Sequence, residues 1–172
     1  HPKWYKKNKG KVLATTIDKY SYIIATKENL FNKQKYRIRS YIKEETNFSN
    51  EISHPVIKVV LQKLYKFDRL KFTHHGDIPS KIGIGSSSAF CVGLIQVFEK
   101  LKGKKISQKK IYEKAINLER NLLNEFGGDQ DQIICTVGGF KSIRFGRNTT
   151  IYSLEKNDTF LGELEKWTQL FY

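Results

Sequence analysis

The chain has 172 residues, 39% of them hydrophobic, and a formal net charge of +14. This length suits one ordinary domain with a single core, and no apolar stretch is long enough to cross a membrane. We therefore expect a soluble, cytoplasmic protein without a disulfide framework, because two cysteines are too few for one.

A strongly positive net charge is typical of proteins that bind nucleic acid. However, 25 of the 31 basic residues are lysine and only six are arginine, and they are scattered along the chain. Arginine is the residue favoured for recognising bases and phosphates, so this distribution makes nucleic acid the less favoured partner. Anionic small ligands and a solvated lysine surface explain the charge better.

The first quarter of the chain is predicted to form strands. Residues 11–17 and 20–26 are rich in β-branched and aromatic side chains and flank a two-residue junction, so we expect two strands paired with each other. A third strand is predicted over residues 36–42, where alternation indicates one buried and one polar face. Residues 47–53 are interpreted as a loop.

The middle of the chain alternates helix and strand signals. Pro55 follows His54 and marks the first turn of a helix running to about residue 65. A strand over residues 69–74 leads into a glycine-rich loop, and an apolar helix then ends near Leu101. Ser107 is a predicted N-cap for the next helix.

The last third contains two glycine pairs. The first, at residues 127–128, ends the preceding helix, and the second closes a short helix over residues 129–137. Residues 140–145 and 150–154 form a predicted hairpin, and an amphipathic piece covers residues 161–171. We see no repeat or linker that would mark an internal domain boundary.

The stretch D-I-P-S-K-I-G-I-G-S-S-S-A-F-C-V-G, residues 77–93, is the strongest local signal. Gly83 and Gly85 allow unusual backbone angles and close approach to a ligand, and three serines then open a helix. Such a helix start offers unpaired N–H groups to phosphate oxygens. Alone, the pattern equally describes a serine-capped helix, and it is neither a P-loop nor a dinucleotide fingerprint.

Two acids further along the chain are candidates for chemistry. Glu119 lies near the apolar face of its helix, where a lysine or backbone donor would satisfy it, or a magnesium ion would bind it. Asp129 and Asp131 begin a helix, where capping alone is a sufficient explanation.

Several motifs carry a resemblance to one family. P-S-K-I-G-I-G-S-S-S-A-F resembles the P-x-x-x-G-[LI]-G-S-S motif of the GHMP kinases, which phosphorylate small molecules. G-G-D-Q-D-Q, with G-G-F after it, resembles the signature of the sugar-kinase branch. V-L-A-T-T-I-D-K-Y-S-Y-I, Y-R-I-R and E-I-S-H-P look like the subgroup acting on D-glycero-D-manno-heptose 7-phosphate.

This resemblance implies a fold and a reaction. The fold is α+β, a two-layer arrangement of β-sheet backed by helices, as in the GHMP kinase N-terminal domain, which is ribosomal-protein-like. The reaction uses ATP and Mg²⁺ and transfers the γ-phosphoryl group to the anomeric hydroxyl of a heptose 7-phosphate. The product serves lipopolysaccharide or surface-layer sugar synthesis.

The resemblance also implies roles for individual residues. Asp131 corresponds to the base acting on the sugar hydroxyl, and Glu119 and Ser87 correspond to the magnesium ligands. The amides of the loop hold the phosphates. Those loop residues are Gly83, Ile84, Gly85, Ser86, Ser87 and Ser88. Lys19, Arg37 and Arg39 are candidates for the substrate's own phosphate, although a solvated or strand-face role suits each equally.

Two segments that members of the family contain are not found in residues 1–172. Members begin with a further strand and a G-G-G-T-D substrate motif, and they continue into a second domain. We therefore expect residues 1–172 to be the N-terminal ATP-binding domain, without its extreme N-terminus and without the C-terminal domain, which would be its partner. Position 129 is acidic, where the family more often has a neutral or basic residue.

Two other interpretations stay open. One is a GHMP kinase with a different acceptor, such as galactose, fucose, an amino sugar or mevalonate. The other is a basic nucleic-acid-binding domain, because the same α+β layout occurs in ribosomal proteins. A nucleic-acid binder does not need Glu119 and Asp131 to converge on the glycine loop, so that geometry distinguishes the two classes.

Overall fold

The computed structural model describes residues 2–79, 83–154 and 158–168, and in these ranges seven strands form two separate sheets with helices packed against them. The strands are β1 (Gly10–Thr15), β2 (Ser21–Thr26), β3 (Tyr36–Arg39), β4 (Lys43–Thr46), β5 (Leu70–Gly76), β6 (Phe140–Phe145) and β7 (Thr150–Ser153). The helices are α1 (Pro2–Asn8), α2 (Pro55–Val59), α3 (Ser86–Leu101), α4 (Gln108–Asn117), α5 (Gln130–Val137) and α6 (Asp158–Lys166). Single π-helical turns, Val60–Leu64 and Leu118–Leu122, extend α2 and α4. The expected α+β architecture is confirmed.

The four-stranded sheet has the order β2-β5-β3-β4 and is antiparallel except for the β3–β5 pair. The register sets Ile38 opposite Phe72, and both are almost fully buried. They belong to the larger apolar cluster, which also includes Ile95 and Phe98 from α3. The predicted alternation in the third strand is therefore confirmed over β3.

The three-stranded sheet has the order β1-β6-β7 and is antiparallel throughout. Its inner face supports a second, smaller cluster, whose buried members are Tyr5, Tyr112, Ile133, Ile143 and Phe145. The cluster joins α1, α4 and α5 to this sheet. The predicted hairpin is confirmed as the β6–β7 pair.

The long helix α3 lies directly against β2. A Cβ atom at Gly93 would come within 2.9 Å of Ile23 Cδ1, so a larger residue there would require the end of the Ile23 side chain to shift. The face of α3 turned to the core repeats at helical spacing and includes Cys91, Leu94 and Phe98. This packing fixes the position of α3 relative to β2.

The expected pairing of the first two strands is wrong. β1 pairs with β6 and β2 pairs with β5, so the two strands belong to different sheets. The linker between them is held by distant segments instead of closing a turn. Thr16 N donates to Gly139 O at 3.2 Å, and Tyr20 N donates to Asp77 Oδ2 at 2.8 Å.

The remaining elements agree with their predicted bounds to different extents. The third strand ends at Arg39, three residues before its predicted end, and β4 and α1 were not predicted. The helices beginning at Pro55 and after Ser107 are confirmed, and Ser107 caps α4 by accepting a hydrogen bond from Lys110 N. The predicted amphipathic piece overlaps α6, but its last residues, 169–171, lie outside the described ranges. Within those ranges, no helix is both long and apolar enough to span a membrane.

Candidate active site

A cavity of about 1090 Å³ opens at the start of α3. Its lining brings together the glycine loop, Glu119, Asp131 and Lys19, which come from four separate parts of the chain. The residues selected from the sequence as loop, metal ligand and base therefore face one space. This is the convergence that a nucleic-acid-binding domain does not require.

The glycine loop adopts a backbone that side chains disfavour. Gly83 has φ of 82° and Gly85 has φ of 78°, both in the left-handed region, and Ser86 begins the 16-residue helix α3 directly afterwards. The N-cap residue is Gly85, and among the described residues no side-chain capping hydrogen bond is made there. The N–H groups of the first turn and the positive end of the helix dipole therefore make the loop suited to phosphate oxygens. Residues 80–82 of the motif lie outside the described ranges.

Helix α5 lies directly against this loop. A Cβ built at Gly85 would stand 3.6 Å from Cβ and Cγ of Asp131, and 3.8 Å from its Oδ2. One turn later, the Cys135 thiol lies 4.0 Å from the carbonyl oxygen of Gly85. Burial, followed by the nearby charges of Asp131 and Glu119, raises the pKa of Cys135 to about 11. The thiol therefore stays protonated beside a carboxylate of the cavity wall.

Glu119 is the centre of a buried polar network. It is 2% exposed, and Ser88 Oγ donates a hydrogen bond to its Oε2 at 3.1 Å. Gln132 Nε2 donates to the same Oε2 and also to Ser88 Oγ, the latter at 3.1 Å. Burial raises the pKa of Glu119 above its ordinary value, while the hydrogen bonds from Gln132 and Ser88 act in the opposite direction.

The second oxygen of Glu119 fits a metal ligand. Glu119 Oε1 is buried and has no hydrogen-bond partner among the described residues. Those residues contain no group of three or more His, Cys, Asp or Glu that would hold a metal by itself. Magnesium commonly takes one or two carboxylates and completes its shell with substrate phosphates and water. The donors present thus fit an ion that binds together with a nucleotide.

The serines of the loop divide into two groups. Ser87 is exposed and lines the cavity, as expected for a hydroxyl that reaches a phosphate-bound metal. Ser88 is buried and contacts Glu119 directly. The sequence grouped Ser88 with the phosphate-binding loop and did not indicate that it and Gln132 hold Glu119.

The three basic residues proposed for the acceptor's phosphate are separated in space. Lys19 lines the cavity, but Arg37 and Arg39 are not among the described residues that do so. Arg37 instead forms ion pairs across its sheet, with Nε 3.1 Å from Glu45 Oε1 and an Nη 3.6 Å from Glu28 Oε2. Arg39 is exposed at the end of β3.

Sequence reasoning missed Arg120, which follows Glu119 directly. Its guanidinium donates to the carbonyl oxygens of Gly128 and Glu125, the latter at 3.1 Å, and lies 3.9 Å from Glu119 Oε2. Arg120 therefore ties the Glu119 segment to the loop that precedes α5. An arginine beside a predicted ligand and ahead of a glycine pair was the available signal.

Two histidines at another part of the cavity wall were also missed as site residues. His74 Nε2 lies 2.9 Å from Ser21 Oγ, and the rings of His74 and His54 both pack on Phe90 at centroid distances of 4.6 and 5.5 Å. Burial is the main cause that lowers the pKa of both imidazoles, so they are neutral at neutral pH. This part of the wall is aromatic and uncharged, in contrast to the acidic end at Glu119.

A family model assigns the class of protein to which this fold belongs. The model described as GHMP kinases N terminal domain matches residues 50–139, more than half of the chain, so the chain belongs to the GHMP kinase family. The resemblance found in the sequence is confirmed. The matched range contains the glycine loop, Glu119 and Asp131.

Two known proteins are similar in sequence to most of this chain. The chain is 29% identical over 170 residues to D-glycero-alpha-D-manno-heptose 7-phosphate kinase of Campylobacter jejuni, covering 97% of this chain and 46% of that protein. It is 28% identical over 153 residues to galactokinase of Pyrococcus furiosus, covering 85% of this chain and 41% of the relative. The chain thus spans less than half the length of both.

A solved structure agrees with the fold. The structure of a D-glycero-D-manno-heptose 1-phosphate kinase from Bacteroides thetaiotaomicron superposes with a TM-score of 0.80 at 22% identity. The match covers 94% of this chain and 56% of that one. At this identity the likeness establishes the shared fold, and the acceptor has to be argued from the site.

Proposed function

We propose that the whole protein is a magnesium- and ATP-dependent kinase that transfers the γ-phosphoryl group to the anomeric hydroxyl of a heptose 7-phosphate. The proposal depends on one observation. Asp131 lies beside Gly85, and Glu119 accepts a hydrogen bond from Ser88 in the first turn of α3. Phosphoryl transfer depends on positioning and on neutralising phosphate charge more than on covalent chemistry. The cavity supplies groups for both tasks.

Each residue has a distinct part in this proposal. The amides from Gly83 to Ser88 hold the phosphate oxygens of ATP, and Glu119 with Ser87 holds the magnesium ion. When bound, that ion neutralises phosphate charge and fixes the phosphate orientation. Asp131 accepts the proton of the acceptor hydroxyl or orients that hydroxyl towards the phosphate.

We assign to Lys19 the binding of the phosphate group that the acceptor already carries. This residue lines the cavity, whereas Arg37 is engaged with Glu28 and Glu45, and Arg39 is exposed on the strand. A lysine binds a phosphate as a compact charge with three donors. The activity would supply phosphorylated heptose for lipopolysaccharide or surface-layer synthesis from the cytoplasm, where ATP is abundant.

A second candidate keeps the reaction and changes the acceptor. The galactokinase relative is nearly as similar in sequence, so an unphosphorylated hexose such as galactose is the alternative. The neutral part of the cavity wall around His54 and His74 is compatible with either sugar. Lys19 and Arg120 are the lysine and arginine of the described cavity lining, and Arg120 is engaged with Glu125 and Gly128, so the observation that favours a phosphorylated acceptor is Lys19.

The test is a coupled ATP-consumption assay on the complete protein, including the parts beyond these 172 residues. The panel contains heptose 7-phosphate, galactose, fucose, an amino sugar and mevalonate, each measured with magnesium and with excess EDTA. We expect the highest kcat/KM for heptose 7-phosphate, activity only with magnesium, and a product phosphorylated at the anomeric carbon by ³¹P and ¹H NMR. Preference for galactose would support the alternative, and no acceptor-dependent turnover with any compound would contradict both.

A further inference from the structure

The side chain of Tyr5 connects helix α1 to the segment that carries Asp131. Tyr5 of α1 is 7% exposed, and its hydroxyl donates a hydrogen bond to Oδ2 of Asp129, 124 residues further along the chain. The Tyr5 ring is stacked on Phe145 of β6, with centroids 4.7 Å apart. The ring is therefore fixed by the small sheet while the hydroxyl reaches the start of α5.

Asp129 does not have the capping role that its sequence position predicts. It occupies the N-cap position of α5, but its side chain makes no capping hydrogen bond. It is also absent from the described cavity lining, although Gly128 and Asp131 on either side of it are present. The carboxylate is hydrogen-bonded instead to Tyr5.

The Tyr5 hydroxyl is the donor that satisfies this carboxylate. The other oxygen, Asp129 Oδ1, is buried and has no hydrogen-bond partner among the described residues. A buried acceptor that loses its donor suffers most of the desolvation cost. Without the hydroxyl, the lowest-energy response is for Asp129 to move towards water, and the first turn of α5 would move with it.

The same segment is held from its other side by Arg120. The guanidinium binds the carbonyl oxygens of Glu125 and Gly128, immediately before Asp129. Residues 125–129 are thus held between the Glu119 segment and the N-terminal helix. Asp131, two residues further on, lies against Gly85.

We propose that Tyr5 and Asp129 are positioning residues, whose hydrogen bond sets the placement of Asp131 against the phosphate loop. The inference rests on the proposed role of Asp131. It predicts a defect in the chemical step with little effect on nucleotide binding, because the loop amides belong to the glycine loop and the first turn of α3 and not to α5. A displacement of about 1 Å in a reacting group costs up to roughly a hundredfold in rate.

The test uses the complete protein with Tyr5→Phe, which removes the hydroxyl and keeps the stacked ring. Tyr112→Phe is the matched control, because Tyr112 is a buried tyrosine of the same apolar cluster and has no side-chain hydrogen bond among the described contacts. We expect Tyr5→Phe to lower kcat about tenfold with the KM for ATP within about twofold. Amide hydrogen exchange over residues 127–134 should accelerate in Tyr5→Phe and not in Tyr112→Phe.

Asp129→Ala provides a second, independent variant, because alanine has no acceptor for the Tyr5 hydroxyl, whereas asparagine would keep one. It keeps Tyr5 and the packing of α1, and it decides the question by the same two measurements if Tyr5→Phe does not fold. The double variant should be no slower than the slower single variant, because both changes break one interaction. Additive losses in kcat would contradict a shared role.

The outcomes separate this inference from the proposed function. Unchanged exchange in Tyr5→Phe, or a loss of kcat equalled by Tyr112→Phe, would overturn the positioning role. An active Asp131→Asn protein would instead contradict the proposed base. Hydrogen exchange does not depend on turnover, so it still decides whether Tyr5 orders the Asp131 segment.

Discussion

Gly85 and Asp131 lie side by side in the cavity lining, because a methyl group built at Gly85 would lie 3.6 Å from the Cβ and Cγ atoms of Asp131. The backbone of one residue and the carboxyl group of the other thus bound the same small space, although 46 positions separate them in the sequence. A hydroxyl entering this space would meet both the phosphate loop and an acid. This proximity is the reason why we propose a site, and not only a turn, at the glycine pair.

Replacing Gly85 should impair catalysis more than it impairs folding. Gly85→Ala places a methyl group beside Asp131 and imposes a left-handed backbone on alanine, at a cost of about 1–2 kcal/mol. We expect a loss of between about tenfold and a hundredfold in kcat/KM in the coupled assay.

The control for that variant is Gly103→Ala. Gly103 has φ of 70°, no atom within 4 Å of a built Cβ, and no place in the described cavity lining. It should lower the midpoint of thermal unfolding by a similar amount and leave kcat/KM unchanged. Equal losses of activity in the two variants would show that backbone strain alone explains the Gly85 effect.

The buried carboxyl of Glu119 should make stability depend on pH in a defined direction. Burial raises its pKa above the ordinary value of 4.5, so the folded protein holds this proton more tightly than the unfolded chain. The resulting stability is complete below pH 4.5 and is lost as the pH rises through the raised pKa. Glu119→Gln removes this titration.

We therefore expect the free energy of unfolding of Glu119→Gln, relative to wild type, to increase from pH 4 to pH 8 in metal-free protein. The measurement is chemical denaturation across that pH range. Glu113→Gln, on the exposed face of α4, controls for the loss of one negative charge. A relative stability that falls with pH, or that follows Glu113→Gln, would contradict the unfavourable burial of the Glu119 charge.

Lys19 should distinguish phosphorylated from unphosphorylated acceptors. A hydrogen bond to a charged group contributes about 1.5–3 kcal/mol, so Lys19→Met should lower kcat/KM for heptose 7-phosphate by roughly ten- to a hundredfold. Turnover with an unphosphorylated sugar should change by less than about threefold. The measurement is the same coupled assay with both acceptors.

Lys63→Met is the matched control, because Lys63 is an exposed lysine on the π-helical turn after α2 and is not part of the described cavity lining. It removes the same charge from a different surface and should leave both acceptors unaffected. An equal loss for both acceptors in Lys19→Met would show that Lys19 does not recognise the acceptor's phosphate.

The sequence was most informative where the signal is local. Helix starts at Pro55 and Ser107 and the glycine loop depend on residues a few positions apart, and the structure has each of them. Strand β4 was missed because its sequence, K-E-E-T, has little of the β-branched and aromatic content on which strand prediction relies. Helix α1 is short, three of its seven residues are lysine, and Tyr5 packs it on Phe145, a tertiary contact that no local pattern predicts.

Pairings between distant segments were beyond local patterns. Adjacent strands with a short junction favour a hairpin, but β1 and β2 separate because β6 and β5 are their partners. The candidate site shows the same difference between local signals and contacts of distant segments. The acids at 119 and 131 were identified, while Ser88 and Gln132 as partners of Glu119, and Tyr5 as partner of Asp129, depend on tertiary packing.

The most direct test of the account is the transfer reaction of Asp131→Asn in the complete protein. The change keeps the size of a partly buried side chain beside Gly85 and removes its ability to accept a proton. With ATP, magnesium and heptose 7-phosphate, we expect kcat to fall by about a hundredfold to ten-thousandfold, with the dissociation constant for ATP within about twofold of wild type. Transfer at the wild-type rate in this variant would contradict the assignment of Asp131 and with it the proposed organisation of the site.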